Sequence, residues 1–265
     1  MIQKFGGWLR FRSCCAVLAL VGVGAGCASS PGAAGGEYAA ADFTLVFLRA
    51  GPSAGSIGEE LIRSHTEFLE ELAETGALLF SGWFGPTRAE ADLRGILLMD
   101  IADQVQAAEL LLGDPASLAG VLTPELVPLT TLDVIRVLPM METARQHTRA
   151  EAAENMARAD IRAYTILTVP DGPEAARTIF RHPAIGSQVV LMGRMLGPRQ
   201  DELFAILAVP TARELHSRLD LANEKRLEVH VSEWFGSPVI AELAGGGGPP
   251  EGIAVPDPSS SGPAR

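Results

Sequence analysis

The sequence predicts an α+β chain built from two βαββαβ units in tandem, their sheets packed together as an intramolecular α/β barrel, an internal pseudo-dimer. Three observations lead there. Between residues 42 and 139, apolar β-rich runs alternate with helical periods in the order strand, helix, strand, strand, helix, strand. The same landmarks recur in the same order between residues 161 and 244. A lone βαββαβ sheet is covered by helices on one face only, and two copies can bury their bare faces against each other. Two unrelated α+β layers that share turn chemistry are the alternative.

In the first unit, residues 43–48 (FTLVFL) read as a strand stopped by Gly51-Pro52. Residues 59–75 read as a helix, with Leu61, Ile62, His65, Phe68, Leu69 and Leu72 at helical spacing and Gly76 as its stop. Strands follow at 78–84, closed by Gly85-Pro86, and at 95–101. Asp103 and Gln106 fit a capping box for a helix to Leu112, which Asp114-Pro115 should end. The run LDVIRVL at 132–138 reads as the fourth strand, and residues 140–160 as a linking helix that carries His147 among charges.

The second unit repeats this. Phe43, Thr44, Leu45, Val46 and Gly51-Pro52 line up without a gap on Tyr164, Thr165, Ile166, Leu167 and Gly172-Pro173. Gly76 and Gly85-Pro86 find counterparts in Gly186 and Gly197-Pro198. Asp103/Gln106 is echoed by Thr211/Glu214, and Leu132-Asp133-Val134 by Leu227-Glu228-Val229.

Outside these units the chain carries an address. Lys4, Arg10 and Arg12 precede an apolar run at 14–23 that is short for a membrane span. It ends in Gly24-Ala25-Gly26-Cys27. Residues 1–27 thus resemble a bacterial lipoprotein signal. The resemblance implies lipid attachment at Cys27 and membrane contact through that lipid alone. With no Asp after Cys27, it points to the periplasmic side of the outer membrane. An ordinary secretory signal or an uncleaved anchor are the alternatives. Residues 28–41 are small and Gly/Ala-rich, a flexible tether, and 245–265 read as a disordered Gly/Pro/Ser tail.

No cysteine follows Cys27, so cysteine catalysis and a cysteine-based zinc site are excluded for the folded part. The net charge is −11, and the basic charges sit partly in the signal. Such a surface repels nucleic acid, and no nucleic-acid role is expected. The histidines show no metal-ligand spacing; His182 precedes a proline, His216 lies on a helix and His230 on a strand. No phosphate-binding glycine loop and no Gly-x-Ser-x-Gly occurs.

Read alone, His65 is a polar residue on the edge of an amphipathic helix, and Asp114 a turn residue before proline. The opening FTLVFLRAGP, the pattern Arg63-x-His65-x-x-Phe68-Leu69-x-x-Leu72-x-x-x-Gly76-x-Leu78-x-x-Ser81-Gly82, and Asp114-Pro115 after the second helix resemble the YCII-related (YciI-like) domain family. The resemblance covers residues 43 to about 138. It implies a ferredoxin-like fold of the kind that single-repeat relatives assemble into α/β barrels by homodimerising. It also implies that His65 and Asp114 form the catalytic pair of a lyase- or isomerase-type reaction on a small organic molecule, with no metal and no organic cofactor. A carboxylate within reach would fix the imidazole tautomer and stabilise its cation.

The family usually has an aromatic residue after Asp-Pro; here it is Ala116. Arg49, after the first strand, is a candidate to hold an anionic substrate, and Trp83 a candidate lip of the pocket. In the second unit the position of His65 falls on Ala175, and that of Asp114 near Asp220-Leu221-Ala222, so the pair is expected in the first unit only. A non-catalytic envelope lipoprotein that binds a small ligand or a protein partner is the other functional expectation. Further association between copies stays open.

Overall fold

The computed structural model describes residues 39–55, 58–152, 161–170, 179–200, 202–221 and 228–245. The proposed signal, lipid site and most of the tether, the 246–265 tail, and Ala175 lie outside the described residues. Among the described residues, no helix is long and apolar enough to cross a membrane.

The first half runs β1 (Ala40–Ala50), α1 (Glu59–Glu74), β2 (Leu78–Phe84), β3 (Leu93–Met99), α2 (Gln104–Leu111), α3 (Pro115–Leu118) and β4 (Leu122–Leu132). A 3-10 turn (Asp133–Val137) leads into α4 (Leu138–Ala152). Then come β5 (Arg162–Val169), α5 (Pro183–Gly186), β6 (Val189–Met195), β7 (Leu203–Leu207), α6 (Ala212–Leu221), β8 (His230–Gly236) and α7 (Val239–Gly245). The described strands form a closed antiparallel barrel in the order β1-β3-β2-β8-β5-β7-β6-β4. The class is α+β, as expected.

Strand alternation sets the layers. Phe43, Leu45 and Phe47 of β1 face the barrel interior with Ile96, Val127, Tyr164, Phe204 and Trp234. Val46 and Leu48 face outward and pack with Leu72 of α1 and Leu111 of α2. A matching outer cluster joins Leu167, Ala205 and Leu207 to Leu215 and Leu219 of α6. Buried Thr44 and Thr165 break the apolar pattern without cost, because each hydroxyl donates to a backbone carbonyl at 2.7 Å, of Ile101 and Val209 respectively.

The helix ends follow the sequence signals. Asp103 caps α2 by accepting the Val105 N–H, Thr211 caps α6 by accepting the Glu214 N–H, and Gly76 adopts φ 77° after α1.

Four expectations are corrected. The fourth strand is β4, ten residues earlier than the run LDVIRVL, which forms the 3-10 turn instead. Pro124 and Pro128 hid β4 in the sequence, since proline argues against a strand. Here β6 pairs only with Leu129, Thr130 and Thr131, beyond both prolines, so a missing N–H on that edge leaves no ladder bond unmade. Likewise the last strand of the second half is β8, beyond Leu227-Glu228-Val229. Asp114-Pro115 does not only end a helix; it opens α3. The strand β1 starts at Ala40, inside the expected tether.

Candidate functional site

His65 sits on the buried stripe of α1, which faces the outer side of the sheet. Glu59 and Glu60 in its first turn suit the positive end of the helix dipole. Asp114 arrives from the other side of the first half. The turn after α2 brings Gly113 against Phe68 of α1, where a Cβ would lie 3.3 Å from Phe68 Cε2. Pro115 at the first helical position holds Asp114 extended, as an N-cap requires.

The geometry is compact. His65 Nδ1 and Asp114 Oδ1 lie 2.7 Å apart, with the residues 3% and 1% exposed. Asp114 Oδ1 also accepts the Ala116 N–H at 3.0 Å, and Oδ2 accepts the Ser117 hydroxyl at 2.7 Å. Burial alone would push this carboxyl up. The bond and charge of His65, with Ser117 and Ala116, outweigh it and hold the group below the usual carboxylate range. An ionised Asp114 can only accept, so His65 Nδ1 carries the proton and donates. The other ring nitrogen, Nε2, is buried without a hydrogen-bond partner. The Trp83 ring lies 5.5 Å from the imidazole, centre to centre, and is tilted by 56°, and the residue is 44% exposed.

Thus the structure brings His65, Asp114 and Trp83 together. Arg49 is elsewhere. It stands at one mouth of the barrel, bonded to Glu125 at 2.5 Å, Glu90 at 2.8 Å and Asp92 at 2.9 Å. Arg199 shares Glu125 at 3.0 Å and lies 4.8 Å over the Phe47 ring, which faces the barrel interior. Burial would lower the Arg49 guanidinium, but its three carboxylates prevail and raise it. With those partners inside the chain, Arg49 has no described contact with His65 and is not an open anion site.

The remaining histidines serve local structure. His182 Nδ1 accepts the Ala184 N–H and caps α5. His216 Nδ1 donates to Ala212 O at 2.8 Å, and His230 Nε2 lies 3.5 Å from Glu228. The His147 side chain is outside the described set. Among the described residues, no group of three or more His, Asp or Glu side chains could hold a metal ion.

Sequence reasoning missed Ser117, although Asp-Pro-x-Ser is a helix-start signal that contains it. It also missed a surface cleft of about 420 Å³ lined by Thr87, Thr211, Ala212, Arg213, His216 and Glu233, which excludes the His65–Asp114 pair. Those residues are distant in sequence and share no motif. Ala116, at the family's aromatic position, is buried in the outer core of the first half.

Comparison with known proteins adds the following. No curated protein matches the chain. Two solved structures of the siroheme decarboxylase NirDL, one in co-complex with an iron-uroporphyrin III analogue, are similar at 12% identity over 75% of this chain and 71% of theirs. Their TM-scores are 0.37 and 0.38, so this likeness says nothing about chemistry. Residues 43–128 match the model of the YCII-related domain, from β1 through most of β4 and including both His65 and Asp114. Within the first half of the chain, residues 43–128 are thus similar to the YCII-related domain.

Proposed function

We propose that the chain is an enzyme whose His65 moves a proton on a small organic molecule, in a lyase- or isomerase-type reaction that needs no metal or organic cofactor. One observation carries this reading: His65 Nε2 is buried and unpaired while an ionised carboxylate holds Nδ1. An unsatisfied buried polar atom costs about 1–3 kcal/mol. A substrate proton directed at Nε2 would relieve that cost. His65 would take the proton through Nε2, Asp114 would stabilise the imidazolium, and the same nitrogen would return the proton to another position. Ser117 and the Ala116 N–H hold the carboxylate for that task. Because Nε2 is buried, access to it requires neighbouring side chains to move.

Burial of the pair favours a second reading, in which it clamps α1 to α3 and the protein binds a small ligand or a protein partner without turnover. Deuterium exchange separates the two. Small carbon acids incubated with the protein in deuterated buffer should lose proton signal by NMR. His65→Ala should slow this at least ~100-fold with the fold retained. No exchange in any carbon acid, or exchange indifferent to His65→Ala, supports the clamp.

We read the barrel as an intramolecular pseudo-dimer of tandem ferredoxin-like repeats. The strand order supports it: β4-β1-β3-β2 and β8-β5-β7-β6 are the same series, joined by a β2–β8 seam and a β4–β6 seam. So does the register, since Thr44 opposite Met99 matches Thr165 opposite Leu207. Gly85 N–H donates to Glu233 O as Leu196 N–H donates to Pro128 O. The closed barrel leaves the described strands no free sheet edge for homodimerisation, so further self-association through them would use outer surfaces.

We also propose lipid attachment at Cys27 and an envelope location, on the resemblance of residues 1–27 to a lipoprotein signal. Labelled palmitate should enter the protein in a bacterial host and not the Cys27→Ser variant. Equal labelling of both would refute it.

A further inference from the structure

The buried His65 imidazole lies 5.5 Å from the ring of Trp83, which is exposed at the surface. Trp83 pairs across the β2–β8 seam with Phe235, and the two are 44% and 37% exposed. Gly85 fits between Phe235 and Glu233; a Cβ there would lie 2.9 Å from Phe235 Cε2 and 3.2 Å from Glu233 Cβ. Glu233 lines the cleft of about 420 Å³ with Arg213 and His216. Imidazole, aromatic pair and cleft therefore follow one another along a single seam. By strand spacing, Phe235 lies about 5 Å from Trp83 and Glu233 about 7 Å further along β8.

The other seam shows that the fold does not demand these residues. Under the repeat reading, the positions of Trp83 and Phe235 fall on Arg194 and Thr130, which pair across β4–β6. Glu233 falls on Pro128, Arg213 on Val105 and His216 on Ala108. Among the described residues, the matching positions on the other seam therefore carry neither the aromatic pair nor the Glu233, Arg213 and His216 set. Arg213 is exposed and has no acid partner among the described residues. Glu233 directs Oε1 to the Ala212 N–H at 3.2 Å, so its charge is turned toward the start of α6.

We propose that the β2–β8 seam is one composite groove for a small molecule with a flat apolar body and a carboxylate. The body lies on Trp83 and Phe235, the carboxylate meets Arg213, and the far end reaches His65 Nε2. The second half, expected to lack the His–Asp pair, supplies the residues that select the ligand. The His65 end rests on the proposed function; the aromatic and Arg213 subsites do not.

The test is an NMR titration of the full chain with 4-phenylbutyrate, read at the Trp83 indole N–H. A saturable shift is expected. Arg213→Ala, Phe235→Ala and the uncharged analogue 4-phenylbutanol should each weaken binding about tenfold. Arg213 and Phe235 are exposed, so both variants should fold, which near-UV circular dichroism checks. Equal binding of the alcohol, no shift at Trp83, or unchanged binding by Arg213→Ala overturns the groove. Binding that persists while no carbon acid exchanges overturns the proton-transfer reading and leaves the groove standing. Exchange that persists without 4-phenylbutyrate binding does the reverse.

Discussion

Asp114→Ala is expected to destabilise the protein by about 3 kcal/mol, because it breaks a buried charged contact and removes a helix cap together. His65 Nδ1, the Ala116 N–H and the Ser117 hydroxyl would lose their shared acceptor in a site that admits little water. Asp114→Asn keeps an acceptor and should cost less. Urea unfolding at neutral pH checks the order. The same carboxyl gives an acid signature. Its native value is depressed, so its contribution is complete above the unfolded value of about 3.9. As pH falls through that value the unfolded chain takes the proton first, and stability declines until the native group also protonates. Asp92 and Glu125 are depressed too, so the whole fold should weaken in acid. The part due to Asp114 is the difference in slope between the wild type and Asp114→Asn. Parallel slopes, or an alanine cost below about 1 kcal/mol, would mean that the carboxylate is not holding the site.

Trp234→Ala should cost about 4 kcal/mol, the upper range for an aromatic core deletion. Trp234 is fully buried in the barrel interior, its ring 5.8 Å from Phe80 and 5.6 Å from Tyr164. It fits there because Gly82 and Gly236 have no Cβ; an added methyl at either would overlap the indole. Phe84 opposes it across the β2–β8 seam, so the indole couples the two halves. Its Nε1 has no partner, which trims the loss. Trp83→Ala, one strand over and half exposed, should cost under about 1 kcal/mol. Denaturation of both variants compares them directly, and equal costs would contradict the assignment of the barrel interior.

Much of the architecture was legible because it is written in local patterns. The β1 alternation, the helical stripe of α1, the Gly76 stop and the Asp103 and Thr211 caps each follow from a few neighbouring residues. The fourth strands were misplaced because β4 carries two prolines and lies under a pairing that only the closed barrel explains. The meeting of His65 and Asp114 was legible through a family pattern, not through spacing. Forty-nine residues separate them, and no periodicity joins a helix to a later turn. Arg49 shows the converse. An arginine after an apolar strand resembles an anion ligand until Glu90, Asp92 and Glu125, from distant segments, are found bonded to it. Phe235 and the Arg213 cleft had no signal, since a groove between two halves exists only once the barrel closes.

The central claim is that Asp114 fixes the proton on His65 Nδ1 and leaves Nε2 free as the base. Nitrogen-15 NMR of the His65 ring in its neutral form tests it most directly. The account predicts a protonated Nδ1 and a bare Nε2. The opposite tautomer, with the proton on Nε2 and a bare Nδ1 facing a protonated Asp114, would contradict it.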